Sequence, residues 1–220
     1  MKAPVFYRLK ENNFWLSPQR CLFWEEEKAI ILSDLHFGKT GHFRKSGIGV
    51  PQNIFREDLQ RLIDVITQFK PQQLIIVGDL FHSEANKESE LFTKWRHDFS
   101  SLHFNLIKGN HDILKDEWYH QANIQTHHHH LIIAEFCFVH DAGTATVSEL
   151  SNTYSFSGHI HPGIKINGIA KQSLRFPCFY FGETNAVLPA FGRFTGLHLI
   201  EPKKKENVYV IVNDSITKIQ

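Results

Sequence analysis

Five short blocks carry the residues that could do chemistry. They are "DLH" (Asp34 to His36), "GDL" (Gly78 to Leu80), "GNHD" (Gly109 to Asp112), "VHD" (Val139 to Asp141) and "GHIHP" (Gly158 to Pro162). Among their residues are the carboxylates Asp34, Asp79 and Asp112, the imidazoles His36, His111, His140, His159 and His161, and the carboxamide Asn110, with no thiolate. Oxygen and imidazole donors together suit Mn²⁺, Zn²⁺ or Fe better than Ca²⁺, which prefers oxygen alone. The set is too large for one ion, and two ions sharing a carboxylate would use it. Paired cations roughly 3.5–4 Å apart clamp the attacking and leaving oxygens of an in-line phosphoryl displacement and acidify a shared water. A cation would also offset the cost of holding Asp34 at the mouth of a buried strand.

The positions of these blocks follow from the elements that precede them. The apolar run Ala29 to Leu32 leads into Asp34, "QLIIVGD" ends at Asp79, and "FNLIKGNHD" ends at Asp112. Two helical patterns separate these strands. In Asn53 to Lys70, Phe55, Leu59, Leu62, Ile63 and Ile66 recur at helical spacing, with Asn53 as the expected cap and Pro71 as the stop. Within Glu88 to Phe99, Leu91, Trp95 and Phe99 fall on one face. A β-α-β-α-β order implies parallel strands, and ligands bind outside the carboxyl ends of such strands, so the first three blocks should converge. Beyond Asp112 helical spacing fades and the chain reads as a mostly meandering series of strands. His140 ends one of them. His159 and His161 alternate with apolar residues, so both should emerge on one side of an extended segment. The expected class is α/β (α+β), one domain over residues 1–220.

Bulk properties narrow the field. The formal net charge is +1, so no global basic field attracts polyanions, and recognition of one would be local or cation-borne. The three cysteines, Cys21, Cys137 and Cys178, are odd in number and scattered among apolar neighbours, which reads as buried thiols in a reducing compartment. With no signal-like or membrane-length apolar run, the expected location is cytoplasmic and no membrane partner is expected. The run His127 to His130 is conspicuous, yet alternate strand residues face opposite sides, so at most two could share an ion. Lys203 to Lys205 read as a charged hairpin tip, and Phe176, Phe179, Tyr180 and Phe181 as sheet packing. Lys39, Arg44 and Lys45 lie in the Gly-rich, basic "GKTGHFRKSG" just after the first block, where Arg44 and Lys39 could contact phosphate. His82, three residues after Asp79, could contact substrate or support a metal ligand.

The five blocks, in this order, resemble the calcineurin-like metallophosphoesterase superfamily. That resemblance implies a two-sheet sandwich flanked by helices (αββα) with a dimetal site at the strand ends. It implies that Asp34, His36 and His161 bind one ion, that Asn110, His140 and His159 bind the other, and that Asp79 bridges them. His111 would protonate the leaving oxygen, and Asp112 would orient His111. Longer stretches, among them "DLHFGKTGHFRKSGIGVP", "GDLFHS", "RFPCFYFG" and "LPAFGRFTG", resemble the ligase-associated DNA damage response endonuclease branch. This narrower resemblance implies a manganese-dependent phosphodiesterase acting on DNA, with an ATP-dependent DNA ligase and a helicase as partners. Asp141 and Ala142 depart from the Glu and Pro expected after His140. Two rivals are a small-molecule phosphodiesterase or phosphomonoesterase on the same metal core, and a non-catalytic docking partner of a ligase or helicase.

Overall fold

The computed structural model describes residues 3–39, 41, 47, 53–82, 87–143, 153–168 and 172–220. Among them, seven strands form one sheet in simple sequence order: β1 (Val5–Leu9), β2 (Asn12–Ser17), β3 (Cys21–Trp24), β4 (Ala29–Leu32), β5 (Gln73–Val77), β6 (His103–Ile107) and β7 (Ile124–His127). The first four pair antiparallel, and β4 to β7 run parallel. The parallel set is connected through α1 (Ile54–Phe69), α2 (Lys87–Asp98) and α3 (Asp116–Gln121).

A second sheet has the order β14 (His198–Leu199), β11 (Pro162–Asn167), β12 (Ser173–Phe181), β13 (Asn185–Val187), β10 (Tyr154–Ser157), β9 (Phe136–Val139) and β8 (His130–Ile133). It is extended by β15 (Asn207–Val212) on β12 and β16 (Ser215–Lys218) on β15. The expected meander holds only in part, because β10 pairs parallel with both β9 and β13. Apolar runs buried on both faces look alike in parallel and antiparallel sheets, so periodicity did not separate them.

The strand alternation of β4 explains how the layers form. Ile30 and Leu32 face a core shared with Phe55, Leu62 and Val65 of α1 and Phe92 and Trp95 of α2. Ala29 and Ile31 face the second sheet, packing with Phe136, Phe138, Phe156, Phe179 and Phe181. A smaller cluster of Ile164, Cys178, Val208 and Val210 lies apart from these two cores. The result is a two-sheet sandwich, and the described helices pack against the first sheet. All three cysteines are buried, and none is in a disulfide. No described helix is long and apolar enough to cross a membrane.

Helix details depart from the sequence reading. Asn53 is itself helical in backbone (φ −83°, ψ −13°) and makes no side-chain cap; its amide bonds the Glu57 carboxylate instead. The far end is as expected, with Lys70 left-handed (φ 48°) just before Pro71. In α2, Leu91 is 46% exposed and Phe92 takes the buried place. Both lie at helical spacing from Trp95, and the larger ring packs on Phe37, Phe81 and Phe104. The six-residue α3 was missed because one and a half turns carry no readable period; Tyr119 anchors it.

Candidate metal centre

The backbone brings the blocks together. Beyond β4 and β5 the two exiting segments stay zipped: Asp34 N–H donates to Gly78 O (3.0 Å), His36 N–H to Asp79 O (2.9 Å), Phe37 N–H to Leu80 O (3.0 Å) and His82 N–H to Phe37 O (2.9 Å). The second sheet is tied in through Gly158 N–H to His140 O (3.1 Å) and His159 N–H to the Asp34 carboxylate (3.0 Å). Gly192 N–H holds Asp34 O from the other side (3.0 Å).

Five of the block residues have left-handed backbones: Asp34 (φ 53°), His36 (51°), Asp79 (52°), His159 (68°) and His161 (52°). Such a conformation costs a non-glycine residue on the order of 1 kcal/mol or more and persists where surrounding contacts impose it. It breaks the strand alternation assumed for His159 and His161, so their shared direction comes from two left-handed turns.

Three glycines make room for the ligands. A Cβ on Gly78 would strike the His140 ring, one on Gly109 would strike the Asp79 carboxylate, and one on Gly158 would strike the Asp34 carboxylate. The glycine heading "GDL", "GNHD" and "GHIHP" was the visible signal of this packing, and its role was not read from sequence.

All seven proposed ligands belong to one cluster. His161 Nε2 lies 3.3 Å from Asp34 Oδ1 and 3.3 Å from His36 Nε2. His36 Nε2 lies 4.0 Å from Asp34 Oδ1 and 3.7 Å from Asp79 Oδ2. On the other side of Asp79, His140 Nε2 approaches Oδ2 at 3.5 Å, Asn110 Oδ1 at 3.2 Å and His159 Nδ1 at 3.2 Å. Donor atoms of Asp34, His36 and His161 form one set that could hold an ion, and those of Asp34, Asp79 and His140 form another. Asp79 sits between the two groups, its Oδ1 accepting His111 N–H at 2.9 Å.

The electrostatics suit cations. Asp34 and Asp79 are almost fully buried. Burial raises the Asp79 carboxyl above its usual range, opposed by His140 and the His111 N–H. Burial, helped by Lys39 and the neighbouring imidazoles, pushes the His36 ring down to about 2. His36 is therefore neutral, with a lone pair to give. His140 donates Nδ1–H to Val77 O (3.2 Å), which leaves Nε2 as its ligating atom. Asp34, His36, Asp79 and His140 are buried, and together with the more exposed Asn110, His159 and His161 they form an oxygen and imidazole donor set that fits two divalent ions.

Asp112 requires correction. It was expected to orient His111, but its two oxygens accept N–H groups of Phe81 (3.1 Å) and Gly109 (3.0 Å). Burial pushes this carboxyl up to about 6, against the pull of those N–H groups. Asp112 therefore ties the "GNHD" loop to the segment after β5. The His111 ring instead stacks on His82, with centroids 4.4 Å apart at 27°. Lys39 is half-buried beside the centre, its ammonium pKa lowered by burial and partly restored by Asp79 and Asp34. Arg44 and Lys45 lie outside the described residues. The His127 to His130 run is split: His127 ends β7, His130 begins β8, and His128 and His129 form the turn between them.

No protein-family model and no curated protein matches the sequence. Solved structures do. The chain is similar to a Pseudomonas putida nuclease, MPE, at 26% identity over 94% of this chain and 96% of that one, with a TM-score of 0.80. More distant are the Escherichia coli phosphoesterase YfcE (12% identity, 87% and 97% covered, TM-score 0.43) and a predicted phosphoesterase from Streptococcus pneumoniae (12%, 86% and 86%, 0.34). This chain shares the nuclease's fold over nearly its whole length, carries its own five blocks in order where its strands end, and so resembles a hydrolase of the metallophosphoesterase type.

Proposed function

We propose that this enzyme is a dinuclear-metal-dependent phosphodiesterase that cleaves DNA. The observation that carries the reading is the cluster around Asp79, where His36 approaches Oδ2 at 3.7 Å and His140 at 3.5 Å from opposite groups of donors. Asp34, His36 and His161 would hold one ion, Asn110, His140 and His159 would hold the other, and both would share Asp79. Manganese suits this donor set, with zinc or iron as alternatives. When bound, the pair supplies Lewis acidity toward phosphate oxygens and acidifies water at neutral pH. His111, carried on the loop after β6, gives the leaving oxygen its proton. Lys39 meets the non-bridging phosphate oxygens, and Arg44 is assigned the same task from its place in the sequence. The likeness to a nuclease over 94% of the chain supports a nucleic acid as substrate, and the sequence resemblance implies DNA. In this reading the enzyme works in the bacterial cytoplasm in DNA repair, beside an ATP-dependent ligase and a helicase, as the sequence resemblance implies.

A small phosphoester as substrate is the second reading, favoured by the net charge of +1. One set of assays separates them: metal-dependent turnover of bis-p-nitrophenyl phosphate and of single- and double-stranded oligonucleotides, for wild type and His111→Ala. We expect Mn²⁺-dependent DNA cleavage whose affinity falls steeply with salt. His111→Ala should lose ~10²–10⁴-fold in kcat while still binding manganese. Turnover without divalent ions, or a fully active His111→Ala enzyme, would defeat the mechanism. Turnover of small esters only would shift the substrate, and no turnover of any ester would leave the docking role.

A further inference from the structure

We infer that His82 is a positioning residue that fixes both a metal ligand and the proton donor. The inference rests on the reading above of His36 as a ligand and His111 as the acid. His36 turns Nε2 toward Asp34, Asp79 and His161, and its opposite nitrogen, Nδ1, lies 3.2 Å from Nδ1 of His82. A neutral imidazole has one N–H and one lone pair. With the Nε2 lone pair given to a cation, the His36 hydrogen resides on Nδ1 and needs an acceptor. His82 Nδ1 is that acceptor, and its own hydrogen then resides on Nε2. Each ring sets the tautomer of the other, the role that a carboxylate or carbonyl plays behind most metal-bound histidines.

Two further features support this assignment. His82 is held by its backbone, since its N–H donates to Phe37 O at 2.9 Å and Phe37 and Phe81 form a parallel bridge. Its ring also lies under His111, 4.4 Å between centroids at 27°, while His36 meets His111 edge-on at 5.3 Å and 74°. With Asp112 committed to Phe81 and Gly109, the plane of His111 is set by these two rings. His82 thus serves one partner through a hydrogen bond and the other through its face.

Two substitutions separate these contributions. His82→Asn keeps an acceptor near Nδ1 and removes the ring; His82→Phe keeps a ring and removes the acceptor. Manganese affinity is read from the free-ion electron paramagnetic resonance signal, and kcat and KM from bis-p-nitrophenyl phosphate at saturating Mn²⁺. We expect His82→Phe to bind manganese ~10–100-fold more weakly yet keep kcat once saturated. His82→Asn should bind manganese within about threefold of wild type but lose roughly tenfold or more in kcat with KM unchanged. Should His82→Phe prove unfolded by circular dichroism, His82→Leu takes its place as the acceptor-free variant. Wild-type manganese affinity in the acceptor-free variant, wild-type kcat in His82→Asn, or equal losses of both quantities in both variants would overturn the assignment. An Asp79→Asn control separates the two levels: if it too binds manganese normally, the metal centre itself has been misread.

Discussion

Two groups of histidines in this chain behave in opposite ways. Four that are scattered along the chain, His36, His140, His159 and His161, meet at one place, whereas four consecutive ones, His127 to His130, are divided between two strands and the bend that joins them. In the first group the nitrogens approach one another and two buried carboxylates within 3.2–4.0 Å. In the second, His127 leans on Asn105 (3.1 Å), His128 reaches Asp116 (3.5 Å), and the chain passes from the first sheet to the second between His127 and His130. Adjacency in sequence therefore says little about a shared ligand. What gathers side chains is where strands stop, and whether the backbone there can turn left-handed.

This contrast can be broken most severely at its centre. Asp79→Ala removes the carboxylate between the two donor groups, and several kcal/mol of transition-state charge stabilisation go with it. Turnover should fall ~10³-fold or more, together with manganese binding in calorimetry. Wild-type affinity would mean the gathered histidines do not share ions through Asp79. Next in size is Gly78→Ala. Its methyl meets the His140 ring on a backbone at φ +81°, so overpacking and strain should cost about 1–3 kcal/mol. That lowers the melting temperature by roughly 2–4 °C per kcal/mol, with weaker metal binding alongside. A neutral result would remove steric cradling from the account. The smallest effect sharpens the contrast from the other side. His128→Ser with His129→Ser should leave kcat, KM and manganese affinity unchanged while reducing retention on nickel resin. A drop in activity would give the turn a role that the geometry denies it.

The sequence exposed most of the centre because hydrophobic runs end abruptly at Asp34, Asp79 and Asn110, and strand ends are where α/β sheets bind. It exposed less where competing residues were equivalent by spacing. Leu91 and Phe92 are both in helical register with Trp95, and only ring packing on Phe37 and Phe81 decides between them. Asp112 follows His111 directly, so pairing was a fair expectation. The tight "GNHD" loop instead sends the carboxylate to the N–H groups of Phe81 and Gly109. The parallel pairing of β10 with β9 and β13 left no trace in apolar spacing. The glycine cradles were legible as residues and silent as sterics, since a missing Cβ matters only once its neighbour across the sheets is known.

The left-handed backbones at Asp34, His36, Asp79, His159 and His161 have a thermodynamic corollary. Conformational work is concentrated where the ions would dock, so the empty and the loaded enzyme should differ in melting behaviour as well as in catalysis. Occupancy and folding then form a single linked equilibrium, in which each tenfold excess of free ion over its dissociation constant adds about 1.4 kcal/mol of stability. Scarcity of the ion in the cell would therefore lower the amount of enzyme present as well as its turnover.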